Sequence, residues 1–427
     1  MRFTERSVPD NNAPPQLRKV LTVSQAVGLA LTIVVGGGLL VLPGLAYQQT
    51  GGAAIYVWVL DLLIVIPLLI VFAKLGAKWP GAGGIAGFMQ NAFSRRWGAA
   101  AEILLIGTFG LGIPAIALTG GQYCASLLGA EKFALPFAFG LLGIAVAVNW
   151  RGAAVSGNIQ RALAFALCGV LFAAALAALA FGDYGRGTAF APPLDWQTWR
   201  DALPAAGLVF FAFTGWEMLS FTSEEYKNPR RDFPPAVGIS FVLVAALYLL
   251  VAAAVQLTLP QDGAQTASAP VAALLNFSGG FNGAPLIAAA AVAIIAANLI
   301  GALWAASRLV FSSAREKLLP QAAAVLDSRQ TPRAAVALCA AVFSAVLLAS
   351  ASGFFGIEDM LRLAGQNFFF LYMLSVAAYL KTAQTWGARI LGASSMILSL
   401  AMLGVFGREM LYPLALLAIG YYLARKQ

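Results

Sequence analysis

Val35-Gly36-Gly37-Gly38-Leu39-Leu40-Val41-Leu42-Pro43, in the first apolar stretch of the chain, and Phe210-Phe211-Ala212-Phe213-Thr214-Gly215-Trp216-Glu217, in the sixth, decide the fold. Each lies near the middle of a run long enough to cross a membrane. Consecutive glycines destabilise a helix by about 1 kcal/mol each relative to alanine. Three in a row point in all directions around a helix, so a small-residue packing face explains them poorly. Pro43 fits an early turn of a second helix that starts after them. In the sixth run Gly215 permits a break, and Glu217 places a carboxylate at bilayer depth, where it pairs, protonates or lines water. Interrupted helices at corresponding places in two halves of a chain point to the substrate site of a secondary transporter.

Composition fixes the class. The 427 residues are 60% hydrophobic and 11% charged, whereas soluble domains carry roughly 25% charged residues. Many apolar runs reach the ~20 residues that cross a ~30 Å hydrocarbon core. A β-barrel would instead show ~10-residue strands of alternating polarity. We expect an all-α polytopic membrane protein with twelve spans, near 20–48, 52–73, 97–125, 133–150, 157–181, 201–222, 235–258, 284–312, 334–350, 357–381, 388–406 and 410–424. They divide as five, five and two. The expected parts are a cytoplasmic tail 1–19, a first repeat 20–181, an external loop 182–200, a second repeat 201–381, and 382–427 with the last two spans and a short tail. An odd number of spans per repeat inverts the second copy, so span 1 corresponds to span 6. The tail, with Pro14-Pro15, lacks the pattern of a cleaved secretory signal.

The net charge of +9 reports topology rather than nucleic-acid binding. Of 27 Lys and Arg, only Lys132, Arg186, Arg200 and Arg408 fall in segments read as external, and Arg362 falls within span 10. The rest lie in segments read as cytoplasmic, which places both termini inside. In a bacterium the membrane would be the inner one. The chain has no histidine, which excludes imidazole relays, histidine metal sites and Ser-His-Asp hydrolysis. Cys124, Cys168 and Cys339 lie far apart in apolar surroundings, without the spacing of a metal site or a disulfide framework. No cofactor and no metal is expected.

If span 1 unwinds at Gly36, Gly37 and Gly38, its outer half begins with free N–H groups and a positive dipole end. That end, with Val35, suits an amino acid's carboxylate. Carbonyls freed before Gly215 suit its ammonium. Phe210, Phe213 and Trp216, beside Thr214 and Gly215, offer an apolar wall. Glu217 is read as tying the broken segment to a neighbouring helix and as a candidate to carry a coupled proton. Asn298, Trp304 and Ser307 on span 8 are candidates to reach a site between spans 1, 3, 6 and 8, with Asn298 and Trp304 assigned to coupling or gating. Asp61, in the middle of span 2, need not line the site. Glu102 is within reach of Arg95 or Arg96, Arg362 follows Glu358 at the spacing of a helical ion pair, and Gln366 and Asn367 lie deeper on span 10.

These residues form a recognisable set. The chain resembles the amino acid–polyamine–organocation superfamily over nearly its whole length. Four motifs carry the resemblance: Gly36 to Pro43; Trp79-Pro80-Gly81-Ala82-Gly83-Gly84; Phe213 to Glu217 running into Ser223-Glu224-Glu225-Tyr226-Lys227-Asn228-Pro229-Arg230-Arg231-Asp232-Phe233-Pro234; and Ser307-Arg308 through Arg315-Glu316-Lys317-Leu318-Leu319-Pro320. Within it the chain looks most like the bacterial branch that exports methionine and branched-chain amino acids. The resemblance implies a LeuT-like fold of two inverted five-helix repeats plus two helices. It implies that the backbone at Gly36, Gly37 and Gly38 holds the substrate carboxylate and that Phe213 to Gly215 hold the amine, with Glu217 on the far side. It also implies that Glu224 to Pro234 belong to a cytoplasmic loop. Some proton-coupled relatives place a lysine in helix 5 where others hold sodium. This chain offers only Arg161 near the cytoplasmic end of that helix, and its middle reads as apolar.

The function expected is alternating-access transport of amino acids, foremost efflux of methionine, leucine, isoleucine and valine, coupled to protons or to exchange. The partners are the amino acid, a proton or counter-substrate, and the lipid bilayer, without nucleic acid. The oligomeric state is not read. Uptake of amino acids, or transport of a polyamine or organic cation, is the nearest alternative. A channel would show polar or charged pore rings, an enzyme its catalytic groups, and a sensor a signalling domain. The sequence shows none of these.

Overall fold

The structure, a computed structural model, describes residues 15–263, 265–266, 269–275, 284–354, 356–403 and 410–425. Among the described residues the regular elements are helices, beside one isolated parallel bridge between Leu21 and Tyr226. The α-helices are α1 Val23–Val34, α2 Gly37–Thr50, α3 Ala54–Lys78, α4 Gly84–Ala92, α5 Arg95–Leu127, α6 Ala134–Trp150, α7 Ala153–Phe181, α8 Trp196–Phe210, α9 Pro229–Thr258, α10 Pro270–Leu275, α11 Ala284–Arg315, α12 Arg333–Ala351, α13 Ile357–Thr382, α14 Trp386–Leu403 and α15 Leu411–Leu423. Among the described residues eight segments are long and apolar enough to cross a membrane, and α1 and α15 are shorter apolar helices.

The first span is two helices. Thr22 starts α1 with a capping box, its hydroxyl accepting from the Gln25 N–H and so satisfying a donor the helix cannot. The helix ends at Val35, and α2 starts from Gly36 in extended conformation. The sixth span departs further from a continuous helix. After α8 come a 3₁₀ turn Phe211–Phe213, the irregular pair Thr214 and Gly215, and a 3₁₀ helix Trp216–Glu225. Runs of 3₁₀ beyond three or four residues are uncommon. Here side chains help to hold the turns, because the hydroxyls of Ser220 and Thr222 donate to the carbonyls of Glu217 and Leu219, three residues back.

Helices α4 and α10 interrupt segments read as loops. Gly84 explains α4: its φ is +51°, and a Cβ there would sit 2.6 Å from the Phe221 ring and 2.7 Å from the Ser220 hydroxyl. Only glycine permits both this backbone and this approach. The Pro80 to Gly84 motif thereby seats α4, through buried Ile85, Phe88 and Met89, beneath the 3₁₀ helix. The centre of the molecule is the contact of α1, α3 and α9 around the two breaks, with Trp58, Phe213 and Tyr248 meeting edge to face or tilted at 5.1–5.9 Å. Helix α7 lies against α1 so closely that a Cβ on Gly28 would fall 2.4 Å from the Arg161 Cα.

Candidate functional site

A cavity of about 280 Å³ opens between the two breaks, α5, α11 and α13. Gly36, Gly38, Thr214, Gly215 and Asn298, all named from sequence, line it. Its wall on α5 runs from Thr108 to Tyr123, about 22 Å of helix at 1.5 Å per residue, toward the end the charge pattern reads as external. Ile113, Ile295, Met218 and Phe368 supply much of the apolar surface, and among the described residues no lining residue carries a charge.

The break in the first span has two chemically opposite ends. At the end of α1 every one of the last four carbonyls has a donor. Leu31 O accepts from Val35 N at 2.8 Å, and Thr32 O and Ile33 O accept from the Asn298 side-chain amide at 3.3 and 2.7 Å. Val34 O accepts from Gly36 N at 2.8 Å and from the Tyr248 hydroxyl at 2.9 Å. The start of α2 is different. Its N-cap is Gly36, which has no side chain with which to accept from the first-turn N–H groups. A helix N-terminus in that condition favours an anion.

Several expected wall residues lie elsewhere. Phe210, Phe213 and Trp216 do not face the cavity. Phe210 stacks on Phe369 at 5.5 Å, Phe213 packs on Trp58 and Tyr248, and Trp216 meets Phe241. The ring of Phe210, at the end of α8, goes to α13 and those of Phe213 and Trp216 to α3 and α9, while Ala212, Thr214, Gly215 and Met218 are left toward the cavity. Val35, buried, is not among the described lining residues either, and the surroundings of Gly37, the first residue of α2, lie outside what is described.

Glu217 is wholly buried behind the break. Its Oε2 accepts from Gly215 N at 3.1 Å and from the Tyr372 hydroxyl at 2.8 Å, and its Oε1 has no hydrogen-bond partner. The carboxyl thus joins the broken segment to α13. Glu217→Gln keeps an oxygen for both donors, so the fold should survive. Transport should fall or lose its pH dependence, measured as uptake rate from pH 5 to 8. Unchanged transport at every pH would remove Glu217 from the mechanism.

The end read as cytoplasmic is closed by two acidic residues in succession. Glu225 is buried with Arg308: the guanidinium donates to Oε1 at 2.7 Å, and Trp304 Nε1 donates to Oε2 at 2.6 Å. Trp304 is therefore part of this closure and not of the cavity. Glu224 receives Arg315 through two bonds of 3.0 Å, and also the N–H groups of Leu17 and Ala82. Burial alone would raise the Glu224 carboxyl, but Arg315 and these N–H groups outweigh it and hold it below its ordinary value. Its contribution is present at neutral pH and is lost only as pH falls through that lowered value. Backbone completes the closure, with Val20 N and Leu21 N donating to Glu225 O.

Other polar residues sort by geometry. Glu102 pairs with Arg95 at 3.3 Å. Arg362 pairs with Asp359 at 2.9 Å, and the side chain of Glu358 lies outside the described residues. Asp61 is fully buried with neither oxygen hydrogen-bonded, and Gln366 and Asn367 are buried without partners, away from the cavity lining. The fifth span carries a further polar residue beside Arg161, toward the end read as cytoplasmic. Gln160, completely buried, donates to Ala297 O at 3.1 Å and packs against Gly301 beside Ile33. Sequence reasoning also passed over Tyr248, Tyr372 and Arg308. A tyrosine within an apolar helix carries no signal of what it will touch. Arg308 was quoted in a motif, but its partner is 83 residues away in sequence.

Comparison with known proteins matches this architecture. Residues 21–421 match the family model AA_permease_2, amino acid permease. The chain is 29% identical to the uncharacterized amino acid permease YecA of Bacillus subtilis, over 96% of each chain. It is 28% identical to the L-methionine/branched-chain amino acid exporter YjeH of Escherichia coli, over 94% of this chain and 95% of that protein. The crystal structure of MhsT in complex with L-phenylalanine superposes with a TM-score of 0.66 at 16% identity, over 91% of this chain and 99% of that one, which gives the fold as LeuT-like. The chain belongs to the amino acid permease family of the amino acid–polyamine–organocation superfamily.

Proposed function

We propose that this protein moves neutral, apolar amino acids across the bacterial inner membrane by alternating access, with export of methionine, leucine, isoleucine and valine as the principal activity. The observation that carries the proposal is the uncapped start of α2 at one wall of a cavity without charged lining. The N–H groups receive the carboxylate of the substrate, and the carbonyls around Thr214 receive its ammonium. Isoleucines, Met218 and Phe368 receive an apolar side chain. A lysine or glutamate side chain would enter without a counter-charge, at a cost of several kcal/mol. The export assignment draws on the likeness to YjeH, and coupling to a proton or to a counter-substrate draws on Glu217.

The experiment is counterflow in proteoliposomes. Vesicles loaded with unlabelled leucine or methionine should accumulate the labelled amino acid. Isoleucine and valine should compete, while lysine, glutamate and putrescine should not. Competition by putrescine or lysine as strong as that by leucine would overturn the neutral assignment. Absence of counterflow for every amino acid would overturn amino acid transport.

A further inference from the structure

The start of α5 holds two arginines with different surroundings. Arg95 is part-buried and directs its charge to Glu102 at 3.3 Å and Glu316 at 3.9 Å. Arg96 is exposed, and its guanidinium lies 6.0 Å from the centre of the Tyr421 ring on α15. Tyr421 meets Trp97 at 5.3 Å, and Trp97 meets Phe93 at 6.3 Å. The Lys381 ammonium lies 4.5 Å from the centre of Phe93. A ladder of three rings thus runs between two cations, across the ends of α4, α5, α13 and α15. None of these residues lines the cavity.

The rings place the cations without neutralising them. A cation held over a ring face keeps N–H groups for another acceptor. Among the described residues neither Arg96 nor Lys381 has a carboxylate partner. Phe93 and Trp97 are 36% and 39% exposed. Arg95 opens one membrane-spanning segment and Thr382 closes another, so the ladder lies at headgroup depth. Aromatic rings and the long stems of Lys and Arg are favoured there. Charge and place together specify the occupant. Exposed rings beside cations without carboxylate partners suit a molecule with an anionic head and apolar chains. A free phosphate ion would meet the cations but has nothing to lay against Trp97 and Phe93. A second copy of this chain, docked about a two-fold axis, would bring the same positive patch against itself.

We propose that this ladder is a binding site for anionic phospholipids of the leaflet at the end read as cytoplasmic. The headgroup phosphates sit on Arg96 and Lys381, and the acyl chains lie against Trp97 and Phe93. Helix α15 is seated tightly on α5, since a Cβ on Gly420 would fall 2.4 Å from Ala99 O. Bound lipid therefore ties this pair of helices to the end of α13 and stabilises the folded protein. The inference goes beyond amino acid transport and does not depend on what is transported.

The test is thermal unfolding of the purified full chain in an uncharged detergent. It is titrated with dioleoylphosphatidylglycerol, with the phosphatidylcholine of the same chains, and with inorganic phosphate. Phosphatidylglycerol should raise the melting temperature by about 5 °C at saturation, and the other two by less than about 1 °C. Salt at roughly 1 M should remove most of the shift. Arg96→Gln and Lys381→Gln should each move the midpoint of the titration about fivefold higher, and the double variant about twentyfold. Both side chains are exposed, so the variants should melt near wild type without lipid. Lys132→Gln is the control. Lys132 stands 5.3 Å from the centre of Phe133, beyond the far end of α5, and its loss should leave the midpoint unchanged. An equal shift of wild type by phosphatidylcholine or by inorganic phosphate would overturn the inference, and this result needs no variant to fold. An unchanged midpoint in the double variant, or an equal effect of Lys132→Gln, would overturn it as well.

Discussion

Gly215→Val is expected to abolish amino acid binding while leaving the helices in place. Gly215 has φ +111°, a conformation in which a β-branched residue is an outlier. A Cβ there would lie 3.1 Å from Ile33 Cγ2 and 3.6 Å from Ile33 O and Val34 Cγ2. Valine adds two more carbons. Ile33 and Val34 are the residues whose carbonyls Asn298 and Tyr248 hold, so the strain passes from one break directly into the other. A backbone forced into a sparsely populated region costs about 1–3 kcal/mol. With the added crowding the total reaches about 3 kcal/mol, or roughly a hundredfold in apparent affinity. Gly215→Ala, with the same strain and one methyl group, should lose about tenfold. Gly207→Ala is the control: it lies within α8, a Cβ there meets nothing within 4 Å, and alanine suits a helix better than glycine. Labelled leucine binding, with circular dichroism to confirm the helices, reads all three. Wild-type affinity in Gly215→Val would separate this break from the site.

The class and the two breaks were legible in the sequence because each depends on local chemistry. Three successive glycines weaken a helix, and the break falls at Val35 and Gly36 while Gly37 and Gly38 already open α2; Gly215 marks the other break by the same lack of a side chain. Hydropathy set the spans to within a few residues wherever the helix was regular. What hydropathy could not show was how an irregular segment turns its side chains. Phe210, Phe213 and Trp216 sit beside the break in sequence, yet Phe210 ends the regular helix α8 against α13, and Phe213 and Trp216, in 3₁₀ turns on either side of Gly215, pack on α3 and α9 rather than on the cavity. Met218 and Thr108 enter it instead. The polar struts were hidden for a different reason. Tyr248, Tyr372 and Gln160 are single residues in apolar helices, and each gains meaning only from a carbonyl or carboxylate on another element. Pairing over such distances is set by tertiary packing, which leaves no local periodicity to read.

Arg308→Met is expected to destabilise the protein and to open the end read as cytoplasmic. Arg308 and Glu225 are each 1% exposed. Removing the guanidinium leaves the buried carboxylate with Trp304 Nε1 as its remaining side-chain donor. Losing one partner of a buried ion pair costs about 3–5 kcal/mol, because the other charge stays desolvated. Glu225→Leu should cost about as much by stranding Arg308. The double variant Arg308→Met/Glu225→Leu removes both charges and should recover most of the melting temperature, since a buried pair exchanged for apolar groups is often neutral. Stability and gating diverge in that double variant. The pair fastens α11 to the 3₁₀ helix, whose Glu225 carbonyl receives Val20 and Leu21 of the N-terminal segment. Apolar side chains restore packing there without restoring the direction of those bonds. The double variant should therefore melt near wild type yet spend more time open. Ser220→Cys, placed in a protein lacking Cys124, Cys168 and Cys339, reports this as the rate of alkylation by a water-soluble maleimide, because Ser220 is fully buried when the end is closed. About a tenfold faster reaction in the double variant is expected. An unchanged rate there, together with wild-type melting of Arg308→Met, would show that this ion pair neither supports the fold nor holds the inner end shut.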